Sequence, residues 1–274
     1  MTASREPAAR ALCGVILHPA GHTRSPAMHG AAFAALGIDA SYLAFDVAPD
    51  DLADAIRGAR ALAIRQLAVS LPHKEAVMAH LDEVDETARA IGAVNTVTRV
   101  DDRLVGSNTD WIGLTQALER CTTLAGKRAI VLGAGGTARA ALYAMGRAGA
   151  RCTVLNRTVP KAAELAREFG AEDAGPLESL GAREYDILIH TTPVGLRSDE
   201  SPVAAADLRA SAVVFDAVYD PEWTRLLRDA EAAGARTVGG KWMLVYQAVE
   251  QVRLWTGRAP APEVLADAFD AAAG

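Results

Sequence analysis

The chain has 274 residues, a length that suits one large domain or two modest ones. Half of the residues are hydrophobic, 23% are charged, and the net charge of −6 arises from interspersed acidic and basic residues. The absence of a Lys/Arg block argues against a nucleic-acid partner, and no apolar segment approaches the ~20 residues of a membrane span. The cysteines Cys13, Cys121 and Cys152 match neither a metal-site spacing nor a disulfide framework. We therefore expect no metal and a reducing, cytoplasmic location.

The first part of the chain alternates apolar runs with segments of helical periodicity. The apolar run at 12–17 predicts a buried strand rather than a secretion signal, because it is short and no cleavage pattern follows it. A helix is predicted over 26–36, with Gly37 ending it. Asp101-Asp102 is predicted to be the turn of a hairpin between 94–100 and 103–106. The other predicted elements here are strands at 41–47 and 67–71 and helices at 50–59 and 74–81.

The second part of the chain alternates more regularly. After a helix at 111–120, strands are predicted at 128–132, 151–155, 187–190 and 212–216, and helices at 137–148, 161–169 and 223–233. The tail, 243–274, reads as helices interrupted around 257–262. Strands that alternate with helices predict a mostly parallel, doubly wound sheet with helices on both faces. The predicted fold class is therefore α/β.

A glycine-rich turn follows the strand predicted at 128–132 and opens the next helix. Gly133 permits a tight turn there, Gly135 lets the backbone approach a pyrophosphate, and Ala138 is the small residue needed for helix packing. The helix N-terminus offers N–H groups and a partial positive charge to phosphates. By itself such a turn is a weak signal, since tight packing alone also explains it. The candidate residues are Gly133, Gly135, Gly136, Thr137 and Ala138.

The end of the following strand favours NADP over NAD. An NAD-selective site usually has an acidic residue there, whereas this chain has Asn156-Arg157-Thr158. A guanidinium suits the 2′-phosphate of NADP through charge-assisted hydrogen bonds, and Thr158 adds a hydroxyl donor. Lys161, one helical turn further on, supplies a second positive charge. We predict an NADP site.

Several polar residues lie where the predicted strands of the first part end, the edge at which open α/β sheets bind ligands. Taken together, seven segments resemble the bacterial shikimate dehydrogenases in order and spacing, from about residue 15 to 257. These segments are His22-Thr23-Arg24-Ser25-Pro26, Ser70-Leu71-Pro72-His73-Lys74-Glu75, Gly92-Ala93-Val94-Asn95-Thr96, Asn108-Thr109-Asp110, the glycine turn with Arg139, Asn156-Arg157-Thr158, and Met243-Leu244-Val245-Tyr246-Gln247.

The resemblance implies an enzyme that reduces 3-dehydroshikimate to shikimate with NADPH, as a monomer or homodimer. It implies a proton-transfer pair, Lys74 and Asp110. It further implies an N-terminal α/β substrate domain (1–110) to which the C-terminal helices (243–274) return, and a Rossmann-type NADP domain (111–242). The implied substrate ligands are the hydroxyls of Thr23 and Ser25 for the carboxylate, Ser70, Asn95, Tyr219 and Gln247.

Some positions depart from the family pattern. Thr23 replaces a serine and Lys161 replaces an arginine, while Leu17 and Ala68 stand where a glycine and an asparagine are usual. A related substrate such as quinate or an aminoshikimate therefore stays open, as does use of NAD. A non-catalytic NADP sensor is a third alternative, which the joint presence of Lys74 and Asp110 argues against.

Overall fold

The structure is a computed structural model that describes residues 10–21 and 23–272; His22 of the motif at 22–26 lies outside the described residues. Contacts divide the chain into two compact units. The first unit comprises the described residues up to Asp85, Val94–Ser107, and those from Gln251 onward. The second unit comprises Glu86–Ala93 and Asn108–Glu250. None of the described helices is long and apolar enough to cross a membrane.

Strands and helices alternate along the described chain. The strands are β1 (Ala11–Leu17), β2 (Ala40–Asp46), β3 (Gln66–Val69), β4 (Glu83–Val84), β5 (Thr96–Val100), β6 (Arg103–Ser107), β7 (Arg128–Leu132), β8 (Arg151–Leu155), β9 (Asp173–Gly175), β10 (Ile187–His190), β11 (Val213–Asp216) and β12 (Arg236–Val238). The α-helices are α1 (Ser25–Leu36), α2 (Leu52–Ala61), α3 (Glu86–Ile91), α4 (Asp110–Glu119), α5 (Gly136–Arg147), α6 (Val159–Phe169), α7 (Arg225–Ala232), α8 (Gly240–Thr256) and α9 (Pro262–Ala271). Short 3₁₀ helices lie at Pro49–Asp51, Ala76–His80, Leu177–Ala182 and Ala205–Asp207.

The first unit contains a mixed sheet in the order β2-β1-β3-β5-β6-β4. β1 runs parallel to β2 and β3, whereas β5 pairs antiparallel with both β3 and β6. The predicted hairpin is confirmed, and Asp101 in its turn has a φ of 53°, a left-handed conformation that Asp tolerates better than most residues. The sheet of the first unit is therefore only partly parallel.

The second unit contains a fully parallel sheet in the order β12-β11-β10-β7-β8-β9. Numbered within the unit, this is the 3-2-1-4-5-6 order of a doubly wound nucleotide-binding sheet, read from its other edge. The chain reverses its direction of winding between the neighbours β7 and β10. Such folds bind ligands outside the carboxyl ends of the strands at this switch point.

Helices cover both faces of the second sheet, which explains its continuous apolar strands. Along β7, Ala129 and Val131 belong to one hydrophobic cluster, while Ile130 and Leu132 belong to another. Successive side chains of a strand point to opposite faces, so a strand buried on both sides needs apolar residues at every position. This confirms the buried parallel strand predicted from the sequence.

The C-terminal helices return to the first unit. Phe33 of α1 packs edge-on against Trp255 of α8, with ring centroids 5.5 Å apart. The Arg24 guanidinium lies 4.1 Å from the ring centroid of Phe269 in α9. Inside this unit, the side-chain amide of Gln66 donates to the Gln251 carbonyl (2.7 Å). Aromatic packing and buried hydrogen bonds thus join the end of the chain to its beginning.

The predicted helix at 74–81 is wrong, because only a 3₁₀ helix forms at Ala76–His80. In an α-helix the Lys74 carbonyl would accept the N–H of Met78. Here it accepts the N–H of Val94 instead (2.7 Å), and Met78 donates to Glu75. A tertiary hydrogen bond therefore takes the acceptor that the first helical turn would need.

Other differences concern short elements. The helix predicted at 50–59 begins as the 3₁₀ helix Pro49–Asp51 and continues as α2. The strands β4, β9 and β12 and the six-residue helix α3 were not predicted. Segments of two to six residues are too short to display a periodicity, so tertiary pairing alone defines them.

A buried histidine in the first unit should make stability sensitive to acid. The His29 ring stacks on Tyr42 at 4.0 Å, and burial lowers the pKa of His29 to about 4, although the hydrogen bond with the Ser25 carbonyl opposes this. An unfolded histidine has a pKa near 6.5, so below that pH the unfolded chain binds a proton that the folded chain excludes. Stability is therefore lost as the pH falls from about 6.5 to about 4.

We expect protonation of this histidine in the unfolded chain to lower the free energy of unfolding by about 2 kcal/mol between pH 7 and pH 5. Urea unfolding of the wild type and of His29→Phe at both pH values measures the effect. The free energy of unfolding of the variant should fall less between pH 7 and pH 5 than that of the wild type. The carboxylates lower it equally in both proteins. An identical loss in the two proteins would rule out His29 as the source.

Candidate active site

The turn between β7 and α5 has the geometry that a dinucleotide site requires. Gly133 adopts a φ of 120°, and its N–H donates to the Leu155 carbonyl (2.9 Å). A Cβ at this position would lie 2.6 Å from Oγ1 of Thr191, so only glycine fits. Ala138 is fully buried, as the third small position of the fingerprint requires.

The N-terminus of α5 offers a cradle for a phosphate. Gly135 precedes the helix in an extended conformation, and a Cβ built on it would meet no atom within 4 Å. No side chain caps the helix, whose first residues are Gly136 and Thr137. N–H groups at a helix N-terminus and the helix dipole favour an anion. The turn thus fits a pyrophosphate.

Residues that follow β8 provide positive charge. Two hydrogen bonds donated by Asn156 order this loop. Its backbone N–H donates to the Gly175 carbonyl (3.0 Å), and its side-chain amide donates to the Thr158 carbonyl (3.1 Å). Arg157, Thr158 and Lys161 are exposed. Within the described part of the chain, neither Arg157 nor Lys161 has an ion-pair partner. A guanidinium in this setting is suited to a phosphate monoester.

Arg139, part of the glycine-turn segment, has a structural partner instead. Its Nε donates to the Ile91 carbonyl at the end of α3 (2.6 Å), and its guanidinium pairs with Glu168. Gly92 has a φ of 72° and faces this guanidinium so closely that a Cβ would overlap it. This arginine therefore joins α3, α5 and α6 of the second unit.

Two hydroxyls meet at the start of α1 in the first unit. Thr23 Oγ1 donates to Ser25 Oγ (3.1 Å) and accepts from the Ser25 N–H (3.3 Å). The side chain of the N-cap residue Arg24 makes no capping hydrogen bond to α1. A carboxylate would find here two hydroxyl donors beside a helix N-terminus, a combination suited to anions. The structure thus brings together the two predicted carboxylate ligands.

The segment after β3 holds Ser70 and Lys74 in a fixed turn. The Ser70 N–H donates to Ile16 (2.9 Å), and its carbonyl accepts the N–H of His73 (2.9 Å). His73 is buried, and its Nε2 lies 2.8 Å from the Val47 carbonyl. Lys74 follows at once, partly buried. Backbone bonds on both sides therefore fix where the Lys74 side chain begins.

Asn95 is buried beside this segment. Its N–H donates to Ser107 (3.1 Å), and its carbonyl accepts from Val69 (2.7 Å). The Thr96 hydroxyl donates to Oδ1 of Asn95 (2.8 Å), and Gln251 Nε2 donates to the Thr96 hydroxyl (3.0 Å). This relay sets the orientation of the Asn95 amide. Gln251 was not predicted, although its spacing of four residues from Gln247 places both on one face of α8.

The second unit positions Asp110, Gln247 and Tyr219. Asp110 is the buried first residue of α4, where the helix dipole favours a carboxylate, and its N–H donates to Oδ1 of Asn108 (3.0 Å). A Cβ on Gly113, one turn later, would lie 3.1–3.2 Å from N and Cβ of Gln247, so α4 and α8 pack closely there. Tyr219 follows β11 and is partly buried.

The predicted site residues are thus divided between the two units. The first unit holds Thr23 with Ser25 in one loop, and Ser70, Lys74 and Asn95 in adjoining segments. The second unit holds the remaining substrate-site candidates and the nucleotide turn. Whether Lys74 and Asp110 form a pair stays a prediction. Among the described residues, no group of three or more His, Cys, Asp or Glu could hold a metal ion.

Comparisons with known proteins identify the family. Three family models match: the shikimate dehydrogenase substrate binding domain at residues 15–97, shikimate / quinate 5-dehydrogenase at 115–207, and the shikimate 5′-dehydrogenase C-terminal domain at 240–268. A shikimate dehydrogenase (NADP⁺) of Thermococcus kodakarensis is 50% identical to this chain over 91% of it and 92% of the relative.

Solved structures that match this fold support the same family. Shikimate 5-dehydrogenase of Thermus thermophilus, crystallised with NADP(H) and shikimate, superimposes with a TM-score of 0.89 at 42% identity, covering 96% of this chain and 99% of that one. A ligand-free 5-ketofructose reductase of Gluconobacter sp. strain CHM43 gives 0.84 at 37% identity, covering 96% and 98%. With an N-terminal α/β domain, a Rossmann-type domain and such identity over nearly its whole length, this chain belongs to the shikimate dehydrogenase family.

Proposed function

We propose that this protein is an NADP-dependent shikimate dehydrogenase, which reversibly reduces 3-dehydroshikimate to shikimate in the biosynthesis of aromatic amino acids. The observation that carries the proposal is the 50% identity to an NADP-dependent shikimate dehydrogenase over 91% of the chain. The nucleotide turn and the exposed Arg157 support the cofactor. The proposed substrate domain spans 1–110 and 243–274, and the proposed NADP domain spans 111–242. A cytoplasmic monomer or homodimer is consistent with its free cysteines.

The reaction needs a hydride and a proton. The nicotinamide supplies the hydride when NADPH is bound. Lys74, as an ammonium, donates the proton to the developing alkoxide oxygen and stabilises its negative charge, and Asp110 acts with Lys74 as the proton-transfer pair. In the reverse direction, neutral Lys74 accepts the hydroxyl proton. The rigid turn around His73 supports this role, because a proton donor must be held within hydrogen-bond reach of the reacting oxygen.

The remaining candidates bind rather than react. Thr23 and Ser25 hold the substrate carboxylate, and Tyr219 contributes a third hydroxyl to it. Ser70, Asn95 and Gln247 bind substrate hydroxyls. When NADP is bound, the N-terminus of α5 would hold its pyrophosphate, and the loop after β8 would hold its 2′-phosphate. The cofactor-binding residues are Gly133, Gly135, Gly136, Thr137, Ala138, Asn156, Arg157, Thr158 and Lys161.

A spectrophotometric assay of the purified protein tests the proposal. Shikimate with NADP⁺ should produce NADPH with a kcat/KM well above that for quinate, and above that for shikimate with NAD⁺. A protein that oxidises quinate faster would instead be a quinate dehydrogenase of the same family, an alternative that the extra methyl group of Thr23 leaves open. Cofactor binding without turnover of any of these substrates would favour the sensor.

Two threonines on β5 allow a sharp test of Asn95. Thr96 and Thr98 are both buried, and each hydroxyl accepts a hydrogen bond from a glutamine amide, Gln251 and Gln66 respectively. Of the two, only the Thr96 hydroxyl also donates a hydrogen bond to the Asn95 side chain. We expect Thr96→Val to lower kcat/KM for shikimate about 3- to 10-fold, mainly through KM, because losing one neutral hydrogen bond costs about 0.5–1.5 kcal/mol.

Thr98→Val is the matched control, because it removes an equivalent hydroxyl without touching Asn95. It should lower the melting temperature about as much as Thr96→Val does while leaving the KM for shikimate unchanged. Equal KM values in the two variants would show that the relay does not orient a substrate ligand.

A further inference from the structure

A buried histidine–aspartate pair in the second unit has no part in the proposed chemistry. His190 is the last residue of β10 and Asp216 the last of β11, and they are direct neighbours in the parallel register. Both side chains are essentially inaccessible to solvent, and Nδ1 of His190 lies 2.8 Å from Oδ1 of Asp216. Two polar side chains at the ends of apolar strands are costly to bury unless they are fully hydrogen-bonded.

Hydroxyl and amide groups complete this network. Thr224 Oγ1 donates to Oδ2 of Asp216 (2.6 Å), and the Val218 N–H donates to Oδ1 (2.9 Å). Nε2 of His190 lies 2.6 Å from Oγ1 of Thr192. A carboxylate only accepts, so Nδ1 of His190 carries a proton and donates to Asp216, while Nε2 and the Thr192 hydroxyl are hydrogen-bonded to each other. The pair thus extends from the sheet core to a loop residue.

That loop lies against the glycine turn. The Thr191 hydroxyl donates to the Leu132 carbonyl (2.7 Å), and a Cβ on Gly133 would lie 2.6 Å from Oγ1 of Thr191 and 3.0 Å from Cγ2 of Thr192. The Val194 N–H donates to the Thr192 hydroxyl (3.3 Å). Since β7 and β10 are the neighbours at the switch point, the loop at 191–194 borders the crevice in which such folds bind a dinucleotide.

We propose that His190 and Asp216 are positioning residues for the dinucleotide, which act through Thr192 to hold the loop at 191–194 ready for binding. A loop held in its binding conformation loses less conformational freedom when the ligand arrives, and affinity rises accordingly. Because NADP is the ligand, this inference rests on the proposed function.

Two threonines that bond to the same pair separate positioning from mere stability. Thr192 bonds to the histidine and faces the glycine turn, whereas Thr224 bonds to the aspartate and caps α7. Calorimetric titration with NADP⁺ in the absence of substrate should show Kd raised about 3- to 10-fold in Thr192→Val. Thr224→Val should lower the melting temperature by about 2–6 °C and leave Kd within about twofold of the wild type.

A third variant tests whether the effect passes through the buried pair. His190→Phe keeps a planar ring of similar size but removes both Nδ1, the partner of Asp216, and Nε2, the partner of Thr192. It should also raise Kd for NADP⁺. An unchanged Kd in His190→Phe beside a raised Kd in Thr192→Val would overturn the proposal, because Thr192 would then act on the ligand alone.

Two further outcomes are decisive. A Kd raised equally in Thr224→Val would also overturn the proposal, since any weakening of the core would then suffice. A wild-type protein that binds neither NADP⁺ nor NAD⁺ would overturn the proposed function itself, whereas normal binding in all variants would overturn only the positioning role.

Discussion

Lys74→Ala is expected to lower kcat for shikimate oxidation by about 10²–10⁴, the usual cost of removing a general acid–base group. Without the amine, no group accepts the proton of the substrate hydroxyl or stabilises the negative charge on its oxygen during hydride transfer. The Kd for NADP⁺, measured by titration, should stay within about twofold of the wild-type value, because removing a group that acts only in the transition state leaves cofactor binding intact. A variant that turns over at the wild-type rate would refute the role of Lys74.

The partnership with Asp110 is tested by combining substitutions. Asp110→Asn alone should also lower kcat strongly. If the two side chains work as a unit, the double variant should be hardly slower than the slower single variant, because residues that act together are strongly non-additive. Multiplicative effects would mean that the two residues act independently. Lys74→Arg serves as the control for charge, since it keeps the positive charge but loses the proton at neutral pH far less readily.

Arg157→Ala should produce the largest effect on the cofactor. Hydrogen bonds to charged groups contribute about 1.5–3 kcal/mol, so the Kd for NADP⁺ should rise about 10- to 150-fold. Affinity for NAD⁺, which lacks the 2′-phosphate, should hardly change. Titration of wild type and variant with both dinucleotides measures these Kd values. Raising the salt concentration should make the Kd values of the two proteins for NADP⁺ more similar.

Lys161→Ala is the matched comparison for Arg157→Ala. The lysine is a point charge without the bidentate geometry of a guanidinium, so its loss should weaken NADP⁺ binding less than the loss of Arg157 does. Equal Kd values for NADP⁺ in wild type and Arg157→Ala would place the determinant of NADP preference elsewhere.

The sequence predicted those parts of the fold that depend on local chemistry. β7 and β8 have their predicted bounds, because each is a short, largely apolar segment between breakers. The conformation of Gly133 was also predictable, since a strand that turns sharply into a helix needs glycine at that point. By contrast, the 3₁₀ helix at Ala76–His80 depends on the bond from Val94 to the Lys74 carbonyl, between residues twenty positions apart.

By itself, then, the sequence determined the types of the longer elements, the nucleotide turn and the residues suited to the chemistry, because each of these follows from neighbours along the chain. Only the tertiary structure decided that Gln251 and Thr96 orient Asn95, and that His190 meets Asp216 and Thr192. The contact of Gln251 with Thr96 and that of His190 with Asp216 join segments distant in sequence, and these hydrogen bonds are strong only because folding removes water from around them.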